Sequence, residues 1–215
     1  MINVPELFKI IYMRLKFIID KKYDLDLATE KKEAEERYKR AVKFIRKTKI
    51  FYQKSWDEIN NDFFKTVEKI TGYSWKYKTY FCVLSPIHKG ISNWGGNKII
   101  RSWRENPYTM RKITGHELLI SHIFTIFEDF KKENLSAKEK WALAEISAFA
   151  ITGLEKSMLR FWPWIDEEEK YPFNHRYHEL YGLQKILRKR YEKKKGFKEF
   201  LRNSIRILKK IKKFK

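Results

Sequence analysis

The feature that most constrains this chain is an apolar segment, residues 113–124, that carries three polar residues capable of chemistry. His116 and Glu117 are adjacent in it, and His122 follows six positions after His116. Most other positions are apolar, which is typical of a helix buried on several sides. Because an unpaired buried polar group is costly, each of these three side chains needs a partner. The segment therefore predicts a buried helix, roughly residues 110–133, that holds either a site or a hydrogen-bonded polar cluster.

A second apolar helix is predicted downstream, and it too contains a lone carboxylate. Glu145 lies in the middle of residues 141–149, which are mostly apolar. Ser136 and Glu139 have the spacing of a capping box, so we expect this helix to begin there and to run to about Arg160. The partner of Glu145 could be a metal ion or one of the many Lys and Arg residues.

Strand propensity is concentrated in the middle of the chain, where aromatic and β-branched residues are frequent. We predict strands at Tyr77–Leu84 and Lys98–Trp103, with turns at Ser85–Pro86 and at residues 93–97. The second turn contains two glycines but leads into a strand, which argues against a phosphate-binding loop at a helix N-terminus.

The N-terminal third is predicted to be helical. Residues 4–20 have the wide apolar face of an amphipathic helix docked on the core, and residues 24–29 interrupt the pattern. A long helix follows from Thr29, and Gly72 is its expected C-terminal cap. The predicted buried face consists of apolar residues that recur every three or four positions: Phe44, Ile45, Ile50, Phe51, Trp56, Ile59, Phe63, Phe64, Val67 and Ile70.

The C-terminal part is expected to contain an aromatic and acidic loop at residues 161–174, followed by basic helices at 175–194 and 197–213. These assignments together predict a predominantly helical α+β fold with a small β-sheet or hairpin.

The composition permits one compact domain. The chain has 215 residues, of which 43% are hydrophobic and 16% aromatic, so it can fill a core. We expect residues 1–72 to pack as N-terminal helices on a core formed by residues 73–174, with residues 175–215 as basic C-terminal helices. The single cysteine, Cys82, excludes an internal disulfide and a cysteine-only metal cluster. No transmembrane segment or signal peptide is recognisable, so a cytoplasmic location is predicted.

The order of strands, a helix with His116-Glu117-Leu118-Leu119 and a later helix with Glu145 resembles the zincin metallopeptidases, particularly small ones whose third zinc ligand is a glutamate. The resemblance covers about residues 75–160. It implies that His116 and Glu145 bind Zn²⁺, that Glu117 is the general base for a zinc-bound water, and that the sheet edge holds a peptide. Zinc with three protein ligands lowers the pKa of its water toward neutrality. The implied function is a zinc-dependent peptidase-like hydrolase acting on a peptide or protein substrate.

The sequence departs from that family at the second histidine. The position four residues after His116 is Ile120, and the nearest histidine is His122. On a regular helix a residue six positions on lies about 120° round, against about 40° for four positions. His122 is therefore a predicted ligand only if a local bulge absorbs the extra residues. Two alternatives stay open: a zincin-like fold that has lost its metal, and a structural role in which Thr114 and Glu117 form a capping box.

The charge supports a different class of function. The formal net charge is +21, and residues 185–215 contain fifteen Lys or Arg against two Glu. Such a field attracts nucleic acid or an anionic membrane surface, although a solvated tail is the simpler interpretation. The residues that would bind these partners are the following basic ones: Lys189, Arg190, Lys193, Lys194, Lys195, Lys209 and Lys210. Aromatic residues among them, such as Tyr191, Phe197, Phe200 and Phe214, could stack on bases but have core spacing.

The other histidines and the cysteine are weaker candidates. His175 and His178 are near a helix start and could approach a site, but a surface position is the simpler prediction. His88 lies in a loop with Pro and Gly and could line a cleft. Cys82 falls in a predicted strand, where a small core residue is expected rather than a nucleophile.

Overall fold

The structure, a computed structural model, describes residues 13–172 and 177–211. In chain order its elements are β1 (Arg14–Ile18), α1 (Lys21–Asp26), α2 (Lys31–Asp57), α3 (Asn60–Thr71), β2 (Thr79–Ser85), β3 (Gly90–Ser92), β4 (Lys98–Ser102), α4 (Met110–Ile126), α5 (Ala137–Leu154), α6 (Lys156–Leu159), α7 (Glu167–Lys170), α8 (Tyr181–Glu192) and α9 (Phe197–Lys210). Short 3₁₀ helices follow α4 and precede α8, at Phe127–Glu133 and His178–Leu180.

The predicted fold class is confirmed, because the described chain is mainly helical and contains a small four-stranded sheet. The strand order is β1-β2-β4-β3. Strands β1, β2 and β4 are parallel, whereas β3 runs antiparallel to β4 and forms a hairpin with it. Both predicted strands are present as β2 and β4, and the turn at residues 93–97 joins β3 to β4. Strand β3 was not predicted, because three residues are too few to show alternation.

The predicted helix at residues 4–20 is wrong for the part that is described. Arg14–Ile18 is a strand in which Leu15 and Phe17 are buried, as the alternation of its side chains requires. Residues 1–12 lie outside the described part of the chain. The exposed edge of β1 is covered by side-chain amides: Asn60 accepts from the Leu15 backbone N–H, and Gln53 accepts from that of Phe17. These contacts protect an edge strand that would otherwise expose unpaired backbone groups.

The single long helix predicted from Thr29 to Gly72 is instead two helices, α2 and α3. Helix α1 overlaps residues 24–29, which were expected to be irregular. Gly72 has φ +74° and caps α3 in the left-handed conformation, as predicted. The predicted buried face of α2 is only partly right. Its buried positions include Tyr38, Ile45, Tyr52 and Trp56, which follow one side of the helix. Three residues assigned to that face are exposed instead: Phe44, Ile50 and Phe51.

Helices α4 and α5 pack against each other and place the polar residues singled out by the sequence. Ser136 and Glu139 form the predicted capping box at the start of α5. The alternative capping box of Thr114 and Glu117 is wrong, because both residues lie inside α4, which begins at Met110. The predicted helix ends also shift, since α4 gives way to the 3₁₀ helix after Ile126 and α5 ends at Leu154.

The described parts of the three predicted segments, residues 1–72, 73–174 and 175–215, all contribute to one hydrophobic cluster, whose residues range from Leu15 to Leu208. The C-terminal helices contribute Tyr191, Phe197 and Phe200, all at least 98% buried, so these rings cannot stack on a base. Phe214 lies outside the described residues. Within residues 13–172 and 177–211, no helix combines the length and apolar character of a membrane span.

Candidate functional site

The structure brings His116 and Glu145 into direct contact, although 29 positions separate them in the sequence. His116 Nε2 lies 2.9 Å from Glu145 Oε2, and a hydrogen bond joins them across the α4–α5 interface. The two side chains are only 12% and 7% exposed. A charged pair or a hydrogen bond with so little exposure to water is electrostatically strong, and losing either partner would leave the other unpaired.

Two aromatic residues of α5 complete the surroundings of this pair. The Trp141 indole N–H donates a hydrogen bond of 3.1 Å to Glu145 Oε1, so both carboxylate oxygens have a partner. The ring centroids of His116 and Phe149 are 4.5 Å apart. Both oxygens of the buried carboxylate are thus hydrogen-bonded within the protein, one to an imidazole and one to an indole.

Glu117, the predicted general base, faces β3 and β4 rather than α5. A Cβ atom built on Gly90 would lie 2.7 Å from both Glu117 Oε1 and Arg101 Nη1, so these two groups flank the same glycine. The Ser92 hydroxyl also donates to the Glu117 backbone carbonyl at 3.1 Å. The side of α4 that carries Glu117 is about 100° from the side that carries His116.

His122 is near neither His116 nor Glu117, because it lies in the interior between α3 and α4. Its Nε2 lies 3.2 Å from the Thr71 hydroxyl, and its ring stacks on that of Trp75 at a centroid distance of 4.3 Å. Burial lowers the pKa of His122 to about 3, because the site offers no charge or water to stabilise an imidazolium. This histidine is a neutral core residue at ordinary pH.

Two of the three predicted zinc ligands, His116 and Glu145, therefore meet, whereas His122 lies elsewhere. Helix α4 is regular through this region, so no bulge turns His122 toward His116 and Glu145. Among the residues that the structure describes, no group of three or more His, Cys, Asp or Glu side chains could hold a metal ion. Since a zinc site needs three protein ligands, His116 and Glu145 would leave the ion one ligand short among the described residues.

The other candidates have structural surroundings. His88 Nε2 lies 3.7 Å from Asp24, a fully buried residue whose pKa is raised by burial although Tyr38 donates to it at 2.6 Å. Cys82 is fully buried in β2, as expected, and burial raises the pKa of its thiol. His178 is exposed in a 3₁₀ turn, whereas His175 lies outside the described residues.

The basic residues of the C-terminal helices fall into two groups. Lys194 and Lys209 form ion pairs of 2.7 Å with Glu155 and Glu133, so part of their charge is already neutralised. The remaining predicted residues are exposed, and three of them line a shallow groove on α8 with Lys185 and Ile186: Lys189, Arg190 and Lys193. Lys195 follows α8, and Lys210 ends α9.

A more continuous basic surface lies on the middle of α2, where the sequence predicted a buried face that includes Phe44 and Phe51. From Arg37 to Trp56 the chain has eight Lys or Arg and no acidic residue. Three large hydrophobic residues of the same helix are exposed to solvent: Phe44 by 53%, Ile50 by 65% and Phe51 by 59%. The acid-free run was visible in the sequence and could have indicated this surface.

Comparison of the chain with protein-family models, with curated proteins and with solved structures gave no match.

Proposed function

We propose that this protein binds nucleic acid through the outer face of α2. The proposal rests on one stretch of α2, from Arg37 to Trp56, whose solvated face combines basic side chains with exposed aromatic rings and has no acidic residue. Lysine and arginine neutralise phosphates, and aromatic rings offer surfaces on which bases stack. A net charge of +21 for the whole chain adds a long-range field that draws a polyanion toward it.

Basic and aromatic side chains alternate along the outer face of α2. At about 100° per residue, Arg40, Phe44, Lys47, Phe51 and Lys54 fall within about 80° of one another around the axis. All five are exposed. They span about 21 Å of helix, at a rise of about 1.5 Å per residue. At an axial rise of about 3.4 Å per nucleotide, this length matches about six nucleotides of a stacked strand and fewer of an extended one, which is comparable to a small single-strand site.

The cations on this face are available to an external anion. In the part of the chain that the structure covers, neither Arg40, Lys43, Lys47 nor Lys54 forms an ion pair with an acidic residue. The acidic residues of α2 are near its ends, where Glu33 and Glu36 pair with Arg37 and Lys39. The middle of the helix therefore presents positive charge that is not paired with an acidic side chain, and this charge attracts a polyanion.

The peptidase-like hydrolase predicted from the sequence is supported less well by the geometry. His116 and Glu145 meet, but Glu117 and His122 face two other parts of the interior. The described residues supply neither a third ligand nor a general base beside the pair. No peptide substrate or metal step is therefore proposed.

The salt dependence of binding tests the proposal. A labelled oligonucleotide should bind the wild type, and the double variant Lys47→Gln, Lys54→Gln should bind more weakly. For a single strand each lost phosphate contact lowers the slope of log K against log salt by about 0.7, so the expected change is about 1.4. Gln has nearly the helix propensity of Lys, so α2 should stay folded.

The matched control removes two charges from the C-terminal groove instead. The variant Lys189→Gln, Lys193→Gln has the same net charge as the α2 variant, and we expect it to retain the wild-type slope within about 0.5. Loss of binding in the α8 variant with retention in the α2 variant would assign binding to the C-terminal helices and contradict the proposal.

A further inference from the structure

The geometry points to unpaired, single-stranded nucleic acid as the partner of α2, with Phe44 and Phe51 as the rings on which bases stack. This inference rests on the proposed function, since it names the class of nucleic acid that the same face would bind. It depends on a second observation, the position and exposure of the aromatic rings. Binding through charge alone would not need these rings.

Phe44 is part of a small aromatic stack at the surface. Its ring lies nearly parallel to that of Trp103, with an interplanar angle of 20° and a centroid distance of 5.9 Å. The Arg104 guanidinium lies over the other ring of this stack, 5.1 Å from the Trp103 centroid. The stack fixes the orientation of Phe44, yet 53% of this residue remains exposed. A pre-oriented ring loses little conformational entropy when a base stacks on it.

Phe51 is a second exposed ring on α2, two helical turns after Phe44, and 59% of it is exposed. The two rings are about 20° apart around the axis and about 10.5 Å apart along it, at about 1.5 Å per residue. A stacked strand advances about 3.4 Å per nucleotide along its axis, so that separation equals about three stacked nucleotides and fewer nucleotides of an extended strand. Lys47 lies between them on the same line, and Arg40 and Lys54 lie beyond each end. A strand running along α2 would thus meet a cation, a ring, a cation, a ring and a cation in turn.

A single strand fits these rings better than a duplex does. In a duplex each base face is covered by its stacked neighbours, so an aromatic side chain can contact base edges or the backbone but cannot stack on a base. In a single strand the faces are open, and stacking on an aromatic residue is tolerant of sequence. The face therefore predicts a preference for unpaired strands with little dependence on base identity.

An anionic membrane would require a different pattern. A helix that inserts in a bilayer surface has a continuous apolar stripe with its cations on the flanks. On α2 Lys47 lies between Phe44 and Phe51, and Arg40 and Lys54 flank the two rings on the same side of the helix. Insertion of the rings would therefore draw three charges toward the acyl chains. The arrangement consequently favours an extended polyanion.

The test compares a labelled twelve-nucleotide thymidine strand with a twelve-base-pair duplex, by fluorescence anisotropy on the full-length protein. The key variant, Phe44→Leu with Phe51→Leu, keeps the surface apolar but removes both rings. We expect the wild type to prefer the single strand, and each lost ring to weaken single-strand binding about fivefold or more. Duplex affinity should change by less than about twofold, because phosphate contacts are kept.

Trp94→Leu is the matched control, since Trp94 is also an exposed ring, 51% exposed and stacked on Phe124, but lies on the turn between β3 and β4. We expect it to bind both ligands like the wild type. Equal affinity for strand and duplex, unchanged in the ring variant but reduced in the lysine variant, would overturn the inference and leave the proposed function intact. Absence of binding to either ligand at low salt would overturn both.

A vesicle experiment separates the membrane alternative. Flotation with vesicles of phosphatidylserine and phosphatidylcholine should leave the protein unbound at physiological salt. Leucine inserts in a bilayer as well as phenylalanine does, so flotation of the wild type and of the ring variant alike, without single-strand preference, would refute the inference.

Discussion

His122 should make the protein lose stability as the pH falls from 7 to 5. The ring is fully buried against Trp75 and Thr71, and burial lowers its pKa to about 3 from an ordinary value of 6.5. Because the pKa is lower in the folded state, the unfolded chain binds a proton in this window and the folded chain does not. The stability contributed by a neutral His122 is therefore complete above pH 6.5 and is lost as the pH falls toward 3.

The size of the effect follows from proton linkage. At pH 5 an unfolded histidine is almost fully protonated, whereas at pH 7 about a quarter of it is. Integrating the difference in bound protons between these two values gives a loss of about 2 kcal/mol in the free energy of unfolding. The result changes little if the pKa of the folded state is higher by about one unit, since His122 would still be mostly neutral at pH 5.

Urea denaturation at pH 7 and at pH 5 measures this loss, with His122→Phe as the reference. Phenylalanine keeps a ring beside Trp75 but cannot take up a proton, and the Thr71 hydroxyl retains its hydrogen bond of 2.9 Å to the Val67 carbonyl. Other titrating groups, including buried Asp24, are common to both proteins and cancel in the comparison. We expect the wild type to lose about 2 kcal/mol more than the variant over this range. Equal losses would refute the argument from burial.

Two further outcomes follow from the packing and from the candidate site. Gly153→Ala should destabilise the protein by about 3 kcal/mol or more, because the new Cβ would lie 1.6 Å from the Lys170 backbone oxygen. Gly182→Ala is the control, because a Cβ at this position in α8 meets no atom within 4 Å, and it should raise the melting temperature slightly. A lower melting temperature for Gly182→Ala than for Gly153→Ala would contradict the packing argument. After incubation with zinc and dialysis, elemental analysis should find no stoichiometric zinc in the wild type or in His116→Ala; one zinc per chain, lost in the variant, would restore the predicted metal site.

Sequence patterns predicted the elements whose signals are local. The capping box of Ser136 and Glu139 marked the start of α5, and Gly72 marked the end of α3. The rule that a buried carboxylate needs a partner also singled out Glu145, whose partner proved to be His116. In each case the responsible interaction either lies within a few residues or follows from a general cost of burial.

The predictions that failed depend on contacts distant in sequence. Residues 14–18 are apolar enough for a helix, and they form a strand because Arg14 pairs with Thr79 and Asn60 binds the free edge. The exposed side of α2 was missed for a related reason. Phe44 and Phe51 have helical spacing, but only the tertiary packing of Tyr52 and its neighbours decides which side of an aromatic-rich helix is buried.

The contrast between the two candidate surfaces explains why function is proposed at α2. At the α4–α5 interface the polar atoms of Glu145 are satisfied by His116 and Trp141, so the cost of burial is offset within the protein. On α2 the side chains are not satisfied within the protein in this way. Phe44 is exposed, Lys47 has no ion pair among the described residues, and both could contact an external partner. Exposed apolar rings are typical of an interaction surface, and like charges repel one another. The proposed partner, a polyanion with stacking bases, would cover the rings and neutralise the charges at once.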